Sequence, residues 1–171
     1  MTNSSGARAL EVLAIAPAPR LSFRMRERAT SEGFRCIGSQ AVMNEHVLVV
    51  DDNPDTADGL ARLINSFGYK ARAVYGGQQA IEESAAFEPD MALIDIGMPD
   101  LDGYETVRRI REQRANVHVI IVAVTGWSRD EDKRRAYEAG FDLHVAKPMD
   151  AGKLKELLAL LDPESYLGDD A

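Results

Sequence analysis

Four stretches of this 171-residue chain end in polar groups that could do chemistry together. Asp51-Asp52 follow the apolar run His46-Val47-Leu48-Val49-Val50. Asp95 closes Met91-Ala92-Leu93-Ile94, Thr125 closes a run starting at His118, and Lys147-Pro148 follow Leu143-His144-Val145-Ala146. Three carboxylates brought together repel, each close pair by roughly 4 kcal/mol at 4 Å and an effective dielectric of ~20. A hard divalent cation offsets that repulsion, and Mg²⁺ takes oxygen ligands from few carboxylates and several waters. Such a metal and Lys147 suit phosphoryl oxygens, and Thr125 can donate a hydrogen bond to one. A carboxylate attacking phosphorus forms an acyl phosphate. Asp95 is the best-placed nucleophile, because the Met98-Pro99 turn that follows leaves its face open.

The elements between these residues must carry them to one place. The runs His46–Asp51, Lys70–Tyr75, Met91–Asp95, His118–Thr125 and Leu143–Lys147 read as five strands. Between and after them lie five helical patterns. Pro54 opens the first, with Ala57, Leu60, Ala61, Ile64 and Phe67 at helical spacing and Gly68 at its end. The others span Gly76–Phe87, Gly103–Gln113, Asp130–Ala139 and Ala151–Leu161. In the third of the five, Val107 and Ile110 point inward and Arg108, Arg109 and Arg111 outward; in the last, Leu154, Leu157, Leu158 and Leu161 share a face. Strict alternation with continuous apolar strands predicts a parallel sheet covered on both faces. Right-handed crossovers make it doubly wound. Its carboxyl edge then gathers all four polar strand ends, where open α/β sheets bind ligands.

The formal net charge of −8 argues against a nucleic-acid surface. Residues 1–42 hold six Arg and three Glu, a net +3, which leaves −11 on the rest of the chain. That leader has no clear motif, and Met43-Asn44-Glu45-His46 reads as a natural domain start. The expected division is an extension over 1–43, disordered or a mis-assigned start with a short helix near Arg24–Ser31, a domain over 44–162 and an acidic tail over 163–171. The stretch Ala9–Pro19, interrupted by Glu11, is too short to span a bilayer. Cys36 is the single cysteine, which fits a reducing cytoplasm.

Together, Val49-Val50-Asp51-Asp52-Asn53, Asp95-Ile96-Gly97-Met98-Pro99 with Asp102-Gly103, Val124-Thr125-Gly126 and Lys147-Pro148 resemble the receiver domain of two-component response regulators. The resemblance covers about residues 44 to 162 and includes stand-alone receivers and those of hybrid histidine kinases. It implies a flavodoxin-like sheet of five parallel strands in the order 2-1-3-4-5 with five helices. It implies that Asp95 accepts a phosphoryl group from a histidine kinase or phosphotransfer domain. Asp51 and Asp52, with Asp95 and the Gly97 carbonyl, would hold Mg²⁺; Thr125 would be the switch hydroxyl, Lys147 the phosphoryl-pairing lysine, and Pro148 would follow a cis peptide. The protein would then signal by phosphorylation-dependent partner binding or by phosphorelay to an unidentified downstream protein. It would not be an enzyme beyond its own phosphorylation and dephosphorylation.

Three positions depart from the family pattern. His144 stands where many receivers carry an aromatic switch residue. Gly97 and Trp127 occupy the places that tune dephosphorylation, and neither hydrogen-bonds an attacking water well. A long-lived phospho-Asp95 is expected; radiolabel decay faster than in a receiver with polar residues at both places would refute it. Singly, each motif has a plain structural reading. Asp51-Asp52 could cap a helix, Asp102 could cap the next, and Lys147 could be a surface ion pair. Their joint occurrence at four strand ends favours chemistry. His46 and His118 lack a zinc-ligand pattern. Leu63 and Leu160 fall off the apolar stripes as exposed leucines, Leu63 being a docking candidate, and Trp127 is a candidate partner contact. The rival readings are a Mg²⁺-dependent phosphohydrolase of haloacid dehalogenase type and a degenerate, phosphate-independent receiver. The first expects an Asp-x-Asp pattern on the first strand, which Asp51-Asp52-Asn53-Pro54 lacks.

Overall fold

The computed structural model describes residues 45–113, 119–126 and 130–161, and the backbone of Leu13–Ala14. In chain order the elements are β1 (Leu13–Ala14), β2 (His46–Val50), α1 (Pro54–Ser66), β3 (Lys70–Val74), α2 (Gly77–Phe87) and β4 (Met91–Asp95). They continue with α3 (Gly103–Gln113), β5 (Ile120–Thr125), α4 (Asp130–Ala139), β6 (Leu143–Ala146) and α5 (Ala151–Ala159). The expected helix near Arg24–Ser31, the acidic tail, His118 and Trp127 lie outside the described residues.

The sheet order is β1-β6-β5-β4-β2-β3. Counted by themselves along the chain, the five parallel strands stand as 2-1-3-4-5, the flavodoxin-like order. A sixth, antiparallel strand of two residues is added at the edge of these five. Leu13 and Ala14 pair antiparallel with His144 and Leu143. Without them the outer side of β6 would present unpaired backbone groups, a liability that edge strands carry.

Alternation along the strands builds two cores. Val47, Val49, Met91, Leu93, Val122 and Val124 face Ala57, Ala61 and Ile64 of α1 and Leu154, Leu157 and Leu158 of α5. Leu48, Val50, Ala92, Ile94, Ile121 and Ala123 face Ala80 and Ile81 of α2, Val107 and Ile110 of α3, and Ala136 and Ala139 of α4. Successive side chains point to opposite faces, so one continuous apolar run feeds both layers. Each fully buried leucine contributes about 1.5–3 kcal/mol. Leu63 and Leu160 are not free surface leucines: both are partly buried and pack on the first core.

Local chemistry sets the element ends. Asn53, not the acidic pair before it, caps α1, its side chain accepting from Asp55 N at 3.0 Å, with Pro54 in the first turn. Gly68, at φ 95, lets the chain turn out of that helix. Asp102 does cap α3, accepting from Glu105 N at 2.9 Å. One outward assignment on α3 fails. Arg109 pairs with Glu105 on the surface, but Arg111 turns inward, with Nη2 at 2.6 Å from Asp142 Oδ2 and further bonds to the carbonyls of Gly140 and Val119.

Candidate functional site

The carboxyl ends of β2, β4, β5 and β6 are neighbours, with Val50 beside Ile94, Asp95 beside Val124 and Thr125 beside Ala146. The residue closing β4 or following β2 therefore arrives at one edge. Asp51, Asp95 and Thr125 are buried there and Asp52 is exposed. Carboxylate oxygens of Asp51, Asp52 and Asp95 all lie within 4.8 Å of one another. Lys147 Nζ reaches Asp51 Oδ2 at 2.9 Å and Asp95 Oδ2 at 3.2 Å.

One lysine thus serves two buried carboxylates of a cluster of three. Partial burial opposes the charge on Lys147, but the hydrogen bond to Asp51 and the charges of Asp95 and Asp51 outweigh it and raise its pKa. The lysine is placed by its backbone: its N donates to Thr125 O at 2.8 Å, and the Lys147–Pro148 peptide is cis as the resemblance implies. On the other side, Asp51 Oδ1 accepts from Asn53 N at 3.0 Å, which ties the acidic pair to the entry of α1.

The loop after β4 is shaped by two glycines. A Cβ on Gly103 would stand 2.6 Å from the Asp95 carbonyl oxygen and 2.8 Å from Ile96 Cα, so only glycine permits this approach. A Cβ on Gly97 would meet nothing within 4 Å. Gly97 N lies 3.3 Å from Asp95 Oδ1, which orients the carboxylate.

Beside these groups opens a cavity of about 520 Å³, lined by Asp95, Ile96, Gly97, Thr125, Gly126 and Lys147, and also by Tyr104, Asp132 and Arg135. The first six come from strand ends and the loops that follow them. The last three, from α3 and α4, were not anticipated; their one signal in sequence is the i, i+3 spacing of Asp132 and Arg135, which puts them on one helix face. Arg135 lies over the Tyr104 ring at 5.0 Å. Burial raises the Tyr104 pKa, with Arg135 opposing. His144, read as a switch position, is 3% exposed on β6, two strands from Asp95, and is not among the described residues lining the cavity. His46 sits at the opposite edge, stacked on Phe87 at 4.6 Å, with Nδ1 at 2.8 Å from Phe87 O.

Comparison with known proteins agrees with this geometry. Residues 47–159 match the response regulator receiver domain. An uncharacterized 14.6 kDa protein in the sodA1 3′ region of Leptolyngbya boryana is 30% identical over 119 residues, 70% of this chain and 91% of that protein. The sensor histidine kinase RcsC of Salmonella typhi is 34% identical over 114 residues, 67% of this chain but 12% of the kinase. Among solved structures, the receiver domain of sensor histidine kinase PA1611 from Pseudomonas aeruginosa is 30% identical, with TM-score 0.60, 68% of this chain covered and 95% of that one. That structure has a magnesium ion coordinated in its active-site cleft. The strand order, the edge cluster and these relatives lead to one statement: the chain belongs to the response regulator receiver domain family.

Proposed function

We propose that Asp95 accepts a phosphoryl group from a histidine kinase or a phosphotransfer domain, with Asp51, Asp52 and the Gly97 carbonyl joining it as Mg²⁺ ligands. The observation that carries this reading is the sharing of Lys147 between Asp51 and Asp95 at the mouth of an open cavity. A single ammonium leaves the three-carboxylate cluster negative, which favours a hard cation there. Bound Mg²⁺ would neutralise charge on the phosphoryl oxygens. Asp95 attacks phosphorus, Lys147 pairs with a phosphoryl oxygen, and Thr125 donates its hydroxyl to another. The acyl phosphate is then read by a partner protein or passed along a relay. The receiver unit is residues 44–162, and its setting is the cytoplasm; no described helix is long and apolar enough to cross a membrane.

The test is intact-mass detection after incubation with Mg²⁺ and a small phosphodonor, repeated with Asp95→Asn. A single added phosphoryl group that the variant lacks supports the reading. Multiple turnover of phosphate esters would favour a phosphohydrolase, and a protein never labelled would favour a phosphate-independent receiver.

A further inference from the structure

The parallel sheet has two flanking strands, β3 and β6, and their outward backbone groups are met in different ways. On β3 the cover comes from side chains of the adjacent helices. Asn65 of α1 takes both backbone groups of Ala71: its Oδ1 accepts from Ala71 N at 2.9 Å and its Nδ2 donates to Ala71 O at 3.4 Å. Gln79 of α2 accepts from Tyr75 N at 3.0 Å through Oε1. These covers are built into the domain and close that flank to another chain.

On β6 the cover is a strand. Leu13 and Ala14 pair antiparallel with His144 and Leu143, two of the four residues of β6. They join β2 only through residues 15–44, so docking closes a long loop. A short ladder on a long tether opens far more readily than a helix unravels. The seat also shows what it accepts, an antiparallel strand. The stretch of sequence that supplies it, Ala9-Leu10-Glu11-Val12-Leu13-Ala14-Ile15-Ala16, is small and aliphatic but for one acid.

We infer that the outer side of β6 is a strand-docking surface, which β1 occupies in cis and which an extended small-aliphatic segment of a partner protein takes in its place. Strand addition draws its affinity from main-chain hydrogen bonds. A segment pairing with all of Leu143–Ala146 makes a longer ladder than β1 makes with Leu143 and His144. That gain offsets the tether, whose effective concentration is on the order of millimolar. The surface runs along the flank of the sheet and uses none of the chemistry at Asp95.

The experiment titrates a fluorescent peptide of residues 9–16 into the full chain and into its Leu13→Pro/Ala14→Pro variant, read by anisotropy. The two prolines remove strand N–H groups from β1. The variant binds the peptide about tenfold more tightly than wild type, because the cis competitor is gone. Binding slows hydrogen exchange over Leu143–Ala146 and leaves β3 unchanged. A peptide carrying the same two prolines does not bind. In the unmodified chain, saturating peptide speeds trypsin cleavage after Arg8, which keeps the test valid if the variant folds poorly. Equal affinities for the two chains, no binding to the folded variant, protection elsewhere than β6, or unchanged cleavage after Arg8 each overturn the inference. So does a strand-exchanged wild-type dimer that the prolines dissociate, which assigns the seat to a second copy.

Discussion

The two edges of the sheet each bury a carboxylate against a cation, and they do it differently. At the amino edge Asp142 Oδ2 accepts from Arg111 Nη2 at 2.6 Å and from Ile121 N at 2.8 Å. Three further guanidinium hydrogen bonds go to the Gly140 and Val119 carbonyls. That forked cation ties α3 to the starts of β5 and β6. At the carboxyl edge one point-like ammonium is divided between Asp51 and Asp95, with Asp52 left in solvent. The first arrangement is closed around one forked cation and holds the fold. The second is electrostatically incomplete and open, the condition for binding something.

Three perturbations separate the edges. Arg111→Met leaves Asp142 buried without its cation, and chemical denaturation shows a loss of about 3 kcal/mol, while labelling of Asp95 persists. A comparable loss of labelling would mean the amino edge also shapes the site. A smaller effect belongs to the metal: Mg²⁺ at ten times its Kd raises stability by about 1.4 kcal/mol, and Asp52→Asn abolishes most of that gain. A thermal midpoint indifferent to Mg²⁺ would contradict the incomplete cluster. The smallest effect is on the pH profile. Lys147 has a raised pKa in the folded chain, so its stabilisation is fully present below the unfolded value of about 10.4 and falls away as pH rises past it. The stability difference between wild type and Lys147→Met is therefore flat through neutral pH and shrinks in the alkaline range.

How much of this could be read from residues alone follows the range of the forces involved. The five parallel strands and five helices were legible, because apolar runs and 3.6-residue spacing are local signals that burial on both faces enforces. So was the meeting of Asp51, Asp52, Asp95, Thr125 and Lys147 at one edge, because parallel strands deliver their ends there. Arg111 was misread for a reason of distance. Helical spacing put it on the outer face, while its partner Asp142 is 31 residues away and is reached by a long, bending side chain. Tyr104, Asp132 and Arg135 were missed likewise: nothing local says that α3 and α4 line the cavity beside the end of β4. The pairing of Leu13–Ala14 with β6 carries no hydrophobic pattern, since it depends on backbone groups that every residue has.

The contrast between Gly103 and Gly97 bears on inheritance. Every missense change at codon 103 adds a Cβ where the Asp95 carbonyl oxygen stands at 2.6 Å, so that codon tolerates no substitution without moving the last peptide of β4. Codon 97 opens onto empty space. A lineage could therefore exchange residue 97 freely, altering what stands over Asp95 while the frame that presents Asp95 is passed on unchanged.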